Sequence, residues 1–320
     1  MGHVLGDVGC LGDVYCDIIL RGVSRLPRWG EEVFGEEPVM CPGGIANVGV
    51  GLSRLGVSAK IMARTRGDDT IGRVLVEELA QYPGLEVEWL RRAPTTAITV
   101  ALPHGTERAM VSYLPPVAHG RVAPYVPWDR LKRVTHLHLG AWEEGGMPLQ
   151  DQTAILAEAQ AREMTTSLDV SWQGDFEPAE RLRELLARVD IFFPNAAEAR
   201  WVADTSDLDE ALEQLACLVP VVVVKLGRDG ALARSGDTVE RVPGYETRVV
   251  DTTGAGDAFA AGFLYGAIRH WPLRRSLALA NVCGTISVSR IGSSISTPTR
   301  REAFEMLQGS YGGTHSSEMS

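Results

Sequence analysis

From about residue 130 one pattern recurs: a short apolar run, then a helical stretch, then another apolar run. Strands are read at Val134–Leu139, Thr165–Asp169, Asp190–Phe193 and Val221–Lys225, with helices between them at about 149–163, 178–188, 196–203 and 208–218. A helix between two such runs returns the chain to the edge it left, so the strands pair in parallel and are covered on both faces. The pattern predicts α/β architecture built on a doubly wound, mainly parallel sheet. Ala231–Arg234 and Val239–Val242 read as a closing antiparallel pair.

The first third is read more loosely. Val8–Gly12 is a short buried strand, and Asp13 to Leu20 continue as alternating, hairpin-like sequence. Pro42-Gly43-Gly44-Ile45-Ala46-Asn47 reads as a glycine turn opening an apolar helix through Val48 to Leu55, with Gly56 at its C′ position. Ala59–Ala63 is a strand and Asp69–Gln81 a helix. Thr95–Leu102 and Arg108–Tyr113 are β-rich runs around His104-Gly105. Together with the segment near 15–38 they predict a small sheet beside the main one, able to cover a cleft as a lid.

The 320 residues, 45% of them hydrophobic, suit one large α/β domain or two small ones. A net charge of −10 argues against nucleic-acid and membrane-surface partners. The five cysteines stand apart, without a CxxC pair, as small core residues of a reduced protein do. The start, Met1 to Val4, lacks a signal-peptide profile, and no apolar run reaches the ~18 residues of a membrane span. The expectation is a soluble, cytoplasmic protein with a flexible Gly/Ser-rich tail over 309–320.

The richest chemistry lies in Asp251-Thr252-Thr253-Gly254-Ala255-Gly256-Asp257-Ala258-Phe259. Its glycines admit an anion close to the backbone, and the small apolar residues that follow suit a buried helix starting near Ala255. A helix start offers N–H groups without partners and a partial positive charge, which suits a phosphoryl group in transfer. Asp257, in the first turn, stands where a base can take the proton of an attacking hydroxyl. The competing reading is a capped helix with glycines for close packing; the length of the motif favours phosphoryl transfer.

Asn195 and Glu198, three apart at a helix start beyond a parallel strand, either help hold Mg²⁺ with a nucleotide or simply cap the helix. Lys225, Gly227 and Gly230 either line a nucleotide's phosphates or form a plain turn. Asp17, Gly43, Gly44 and Asn47 either form a polar pocket around a polyol's hydroxyls or are plain turn residues. His136 and His138, alternating on a strand, are read as packed or solvent-facing side chains in preference to metal ligands. No Ser/His/Asp or Cys/His set and no GxxxxGK[ST] loop is present.

In their order and content these motifs resemble the ribokinase-like (PfkB) carbohydrate kinase family. DTTGAGDAFAAGF (Asp251–Phe263) resembles its C-terminal signature and PGGIANVGVGLSRLG (Pro42–Gly56) its N-terminal glycine motif. Leu26 to Glu32, Gly67-Asp68-Asp69, Pro194-Asn195-x-x-Glu198 and Lys225-Leu226-Gly227-x-x-Gly230 fall in the family's order, and the likeness spans about 8–305. It implies a single ribokinase-like kinase domain over 1–308, with a lid from about 15–38 and 95–115. It implies Asp257 as general base, Gly254, Ala255 and Gly256 as the anion hole, and Asn195 and Glu198 supporting Mg²⁺ through water. Lys225, Gly227, Gly230 and Asn281 would lie along ATP, and Asp17, Gly43, Gly44 and Asn47 would hold the sugar. Asp251, Thr253, Gly292 and Ser296 match positions that in relatives hold K⁺. A homodimer paired through its lid sheets is the implied assembly.

Three departures leave the acceptor open: GGIAN is one residue shorter than the common GGxxxN, Asp169 to Gln173 lack the Asn and Arg of many relatives, and Glu143 and Glu144 are out of register with a sugar-binding carboxylate. The expected activity is ATP-dependent phosphorylation of a sugar hydroxymethyl group. The alternatives are a nucleoside kinase, for which Tyr15, Trp29, Tyr113 and Trp142 are stacking candidates, a phosphosugar kinase, and an idle sugar- or nucleotide-binding protein.

Overall fold

Val8 and Cys10 face one apolar core and Leu11 the other, so strand β1 (Asp7–Gly12) is buried on both sides. The structure, a computed structural model, describes residues 7–104, 107–142, 147–170 and 179–311. On one flank β1 pairs in parallel with β4 (Ala59–Ala63), and β4 with β6 (Leu85–Trp89). On the other it pairs with β10 (Val134–Trp142), followed in parallel by β11 (Thr165–Val170), β12 (Ile191–Phe193) and β13 (Val221–Lys225). The antiparallel strands β14 (Ala231–Ser235) and β15 (Thr238–Val242) complete a nine-stranded sheet.

Each face of that sheet carries its own helices. On one lie α1 (Ile45–Arg54), α2 (Thr70–Leu79), α7 (Ala255–Ala267), α8 (Leu273–Val288) and α9 (Arg300–Tyr311). On the other lie α3 (Leu149–Ala161), α4 (Ala179–Leu186), α5 (Ala196–Ala203) and α6 (Leu208–Ala216). The three-residue β12 shows the alternation plainly: Phe192 enters the second core, while Phe193 packs edge-on against Phe263 of α7 at 5.5 Å.

From β1 the chain steps outward through β4 to β6, and from β10 it steps the other way. The reversal between β1 and β10 is a topological switch point, where the carboxyl ends of open α/β sheets leave a crevice. Beside it, Asp13 after β1 and Arg64 after β4 form a buried ion pair, and the same guanidinium donates to the Ala118 carbonyl at 2.9 Å.

The expected small sheet is present, in the order β3-β2-β8-β9: β2 (Val14–Arg21), β3 (Glu37–Gly44), β8 (Ile98–His104) and β9 (Glu107–Tyr113). Pairing corrects one reading. Pro42, Gly43 and Gly44 are not a free turn but the end of β3, opposite Cys16, Tyr15 and Val14. A two-stranded parallel pair, β5 (Arg66–Gly67) with β7 (Arg92–Ala93), lies near the base of this sheet. Asp69 caps α2 through Gly72 and also accepts from the backbone and hydroxyl of Thr96, just before β8. At the far end α9 runs through Tyr311, past Gly309 where the sequence suggested a tail. Gly105, Glu143, Glu144, Ser171 to Gln173 and the tail from 312 lie outside the described residues.

Candidate active site

Helix α7 begins as the motif suggested. Gly254 is its N-cap with φ +73°, and a Cβ there would lie 3.0 Å from Ser293 Cα, so the position suits glycine twice over. No side chain caps this end, and the first-turn N–H groups of a helix have no intrahelical acceptor. The result is a helix start with the chemistry to take an anion and with Asp257 in its first turn.

Asp257 is reached from far away in sequence: Asn47 Nδ2, on α1, donates to its Oδ2 at 2.8 Å. Asn47 is buried, and its Oδ1 has no hydrogen-bond partner among the described residues. Burial first, then the negative charge of Asp169, raises the Asp257 carboxyl to about 7, against the pull of Asn47, Lys225 and Arg108. This is the range in which a carboxylate works as a base near neutrality.

Asp17 lies on lid strand β2, buried opposite Cys41 of β3. A Cβ on Gly43 would sit 2.1 Å from its carboxyl, so that glycine makes room for the side chain. Gly44, at φ +62°, is the N-cap of α1 and places Asn47 one turn in. Burial raises Asp17 to about 6, with the Ser293 hydroxyl and Arg108 opposing and Asp251 reinforcing the shift. The four residues proposed for a polyol thus come from one excursion, β2-β3-α1. Of the aromatic candidates, Tyr15 packs beside Gly44, Trp29 is fully exposed, Tyr113 bonds to Thr95, and the side chain of Trp142 is outside the described ones.

On the other side of α7's start opens a cleft of about 1240 Å³ lined by Lys225, Gly227, Gly230, Ala255, Gly256 and Asn281 among others. The nucleotide-side candidates and the anion hole therefore share one cavity. Within it Asn281 is already engaged, donating to the carbonyls of Val242 and Pro243. Lys225 donates to both oxygens of Asp169 at 2.7 and 3.0 Å. Burial disfavours its ammonium, but Asp169, then Glu198 and Asp257, hold it above the ordinary lysine value.

Asn195 and Glu198 form a capping box on α5. Asn195 Oδ1 accepts from Ala197 and Glu198 N–H at 2.8 and 2.9 Å, and Glu198 Oε2 accepts from Asn195 N–H at 2.6 Å. Their spacing therefore has a structural cause. Among the described residues no cluster of three or more His, Cys, Asp and Glu could hold a metal ion alone, so a divalent ion here would need phosphate and water oxygens as well.

Asp251 gathers most of the suggested cation loop: its carboxylate accepts from Thr253 N–H and hydroxyl at 2.9 and 2.7 Å and from Gly292 N–H at 3.1 Å. The Ser296 hydroxyl bonds instead to the Ser287 hydroxyl and the Ser293 carbonyl. Asp251 is 1% exposed.

Sequence reasoning missed two groups. Arg108, on β9, donates to the Thr252 carbonyl at 2.6 Å and to its hydroxyl at 3.2 Å, fastening the small sheet to the loop before α7. Asp169, at the end of β11, is the partner of Lys225. His136 and His138 prove to be core residues sharing the Ser167 hydroxyl at 2.7 and 2.8 Å, and burial lowers both to about 3.

A switch-point crevice, an uncapped helix start and a buried carboxylate in its first turn fit a phosphotransferase acting on an alcohol group. The model of the pfkB family of carbohydrate kinases matches residues 7–300. The chain belongs to that family, as a sugar kinase of the ribokinase type. It is 26% identical over 306 residues to a ribokinase of Lactococcus lactis, covering 94% of this chain and 97% of that one. It is 30% identical over 302 residues to an ATP-dependent ribose-1-phosphate kinase of Halopiger xanaduensis, covering 90% and 93%. The structure of Arabidopsis thaliana ribokinase complexed with ribose and ATP superposes with a TM-score of 0.79 at 22% identity, covering 95% of this chain and 99% of that one.

Proposed function

We propose that this sugar kinase transfers the γ-phosphoryl group of ATP to a hydroxymethyl group of a sugar. The observation that carries the reading is the Asn47–Asp257 bond. It joins the acceptor-side excursion to a carboxylate in the first turn of the anion-binding helix. Asp17, Asn47 and the backbone at Gly43 and Gly44 hold the sugar hydroxyls. ATP occupies the cleft along Lys225, Gly227, Gly230 and Asn281, with its terminal phosphate toward Gly254, Ala255 and Gly256.

Asp257 takes the hydroxyl proton as the acceptor oxygen bonds to the γ-phosphorus. The bond from that phosphorus to the bridging oxygen breaks, and its electron pair leaves with ADP. The N–H groups at the start of α7 hold the charge on the transferring group. A bound Mg²⁺ would neutralise phosphate charge, and Glu198 and Asn195 would be the residues supporting it through water. The buried Asp251 carboxylate, with Thr253, Gly292 and Ser296, favours a monovalent cation such as K⁺ behind the anion hole. The lid, fastened by Arg108, keeps water from the phosphoryl group.

A nucleoside acceptor is the second reading, favoured by the Tyr15 ring beside Gly44. The exposed Met40, Met110, Val111 and Tyr113 of the lid strands support a homodimer paired through these sheets, and a kinase of this kind with free cysteines belongs in the cytoplasm. The test is ADP release over pentoses, hexoses, phosphosugars and nucleosides, with and without K⁺. Asp257→Ala is expected to lose about 10²–10⁴ in turnover while ATP binding changes little. Near-full turnover by that variant refutes the base. Uniform inactivity of folded, ATP-binding protein returns the binding-protein reading.

A further inference from the structure

Asp169 carries a carboxylate that the mechanism above does not use. It lies at the end of β11, 6% exposed, and its two oxygens take the Lys225 ammonium at 2.7 and 3.0 Å. Oδ1 also accepts from Val170 N–H at 2.8 Å, which fixes the carboxylate plane. Lys225 starts from β13, two strands away, anchored by its N–H to the Pro194 carbonyl at 2.8 Å. Its Nζ then lies 3.4 Å from the point where a Cβ on Gly256 would stand. The cation that Asp169 grips therefore borders the backbone of the anion hole.

A lysine stem has four rotatable carbons, so an ungripped ammonium would spread over many positions. A buried ion pair adds little net stability, because desolvation offsets most of the attraction; its lasting effect is geometric. We propose that Asp169 is a positioning residue for phosphoryl transfer, fixing the Lys225 ammonium beside the backbone of Gly256. The proposal rests on the reading of Asp257 as the base.

The charges around Asp257 come from several elements. Lys225 of β13 and Arg108 of β9 favour its ionised form, as does the Asn47 amide of α1, while Asp169 of β11 opposes it. Glu198 of α5 acts on Lys225, and His138 of β10, which also feels Lys225, stays neutral. Removing the Asp169 charge leaves the Lys225 and Arg108 cations less opposed. Asp257 then ionises at lower pH and binds the acceptor proton less strongly.

The experiment compares wild type, Asp169→Asn and Asp169→Glu by kcat and KM for ATP across pH 5–9, using the best acceptor from the substrate panel. Asp169→Asn keeps the shape but loses the charge. Its acid limb of kcat/KM is expected about half a pH unit or more below that of wild type, with KM for ATP up about threefold or more. Asp169→Glu restores the charge and brings the limb back, while its longer side chain leaves KM for ATP raised. A wild-type KM for ATP in Asp169→Asn overturns the proposal. If Asp169→Asn does not fold, a wild-type KM for ATP in Asp169→Glu overturns it alone. A wild type inactive on every acceptor, or an Asp257→Ala variant near full turnover, instead overturns the reading of the base.

Discussion

Gly43→Ala is the most direct probe of the proposed acceptor pocket. The new methyl would stand 2.1 Å from the Asp17 carboxyl, where ordinary contacts begin at 3.4 Å. Gly43 is not at positive φ, so the backbone itself tolerates alanine and the strain falls on the carboxyl. Asp17 must retreat by about 1.3 Å in a close-packed wall. Misplacement of about 1 Å can cost about 10²-fold in a positioned reaction. A weakened charge-assisted hydrogen bond costs about 1.5–3 kcal/mol. The sugar KM should therefore rise about 10- to 100-fold, while the affinity for an ATP analogue, in a separate cleft, stays within about twofold. Initial rates of ADP release against sugar concentration, calorimetric titration of the analogue and a thermal melt separate the effects. A folded Gly43→Ala enzyme with wild-type sugar KM would refute the placement of Asp17 at the acceptor.

Activity should fall with acidity, because Asp257, held at about 7, must be ionised to accept a proton; kcat/KM is expected to lose about tenfold per pH unit below that point and to level off above it. A profile flat from pH 5 to 8 would be the contrary result. Stability should show an opposing pair of trends. Asp257 and Asp17 have folded values raised above the unfolded ones, so protonation relieves the fold as pH drops through about 7 and about 6. His136 and His138 are depressed to about 3, so the stability they give as neutral rings is complete above pH 6.5 and is lost as pH falls toward 3. In urea unfolding between pH 6.5 and 4.5, His138→Phe should lower the pH slope by up to about 1.4 kcal/mol per unit; an unchanged slope would show that the ring is not held neutral. Ser167→Ala, which strips both rings of a shared hydroxyl, should destabilise by about 1–3 kcal/mol in the same assay without altering the kinetic pH limb.

Where periodicity and end signals agreed, elements could be read almost to the residue: β4, β13 and α5 have the boundaries that their sequences suggested. The β3 end was misread because Pro-Gly-Gly has turn chemistry, and only pairing with β2 makes it a strand. Strand β6, Leu-Glu-Val-Glu-Trp, escaped notice as a half-covered edge with charged alternate residues. At the site, local chemistry was legible and partnership was not. Asp257 announced itself by its glycines, but its bond to Asn47 spans 210 positions. Asp169 looked like the blunt end of a strand until β13 brought Lys225 across, and no local pattern marks Arg108. For Asn195 and Glu198 the capping box accounts for the spacing that had suggested metal support.

The β2-β3-α1 excursion has a consequence for how such a chain can be retuned. The residues proposed to hold the acceptor leave the main sheet after β1 and return with Asn47, whereas those proposed for phosphoryl transfer come mainly from beyond residue 165. The two halves behave like a tool holder and its interchangeable bit. On the proposed reading, side chains of the excursion other than Asn47 are open to exchange for another alcohol while the start of α7 stays as it is. One hydrogen bond, Asn47 to Asp257, is the coupling that any exchanged bit must still engage.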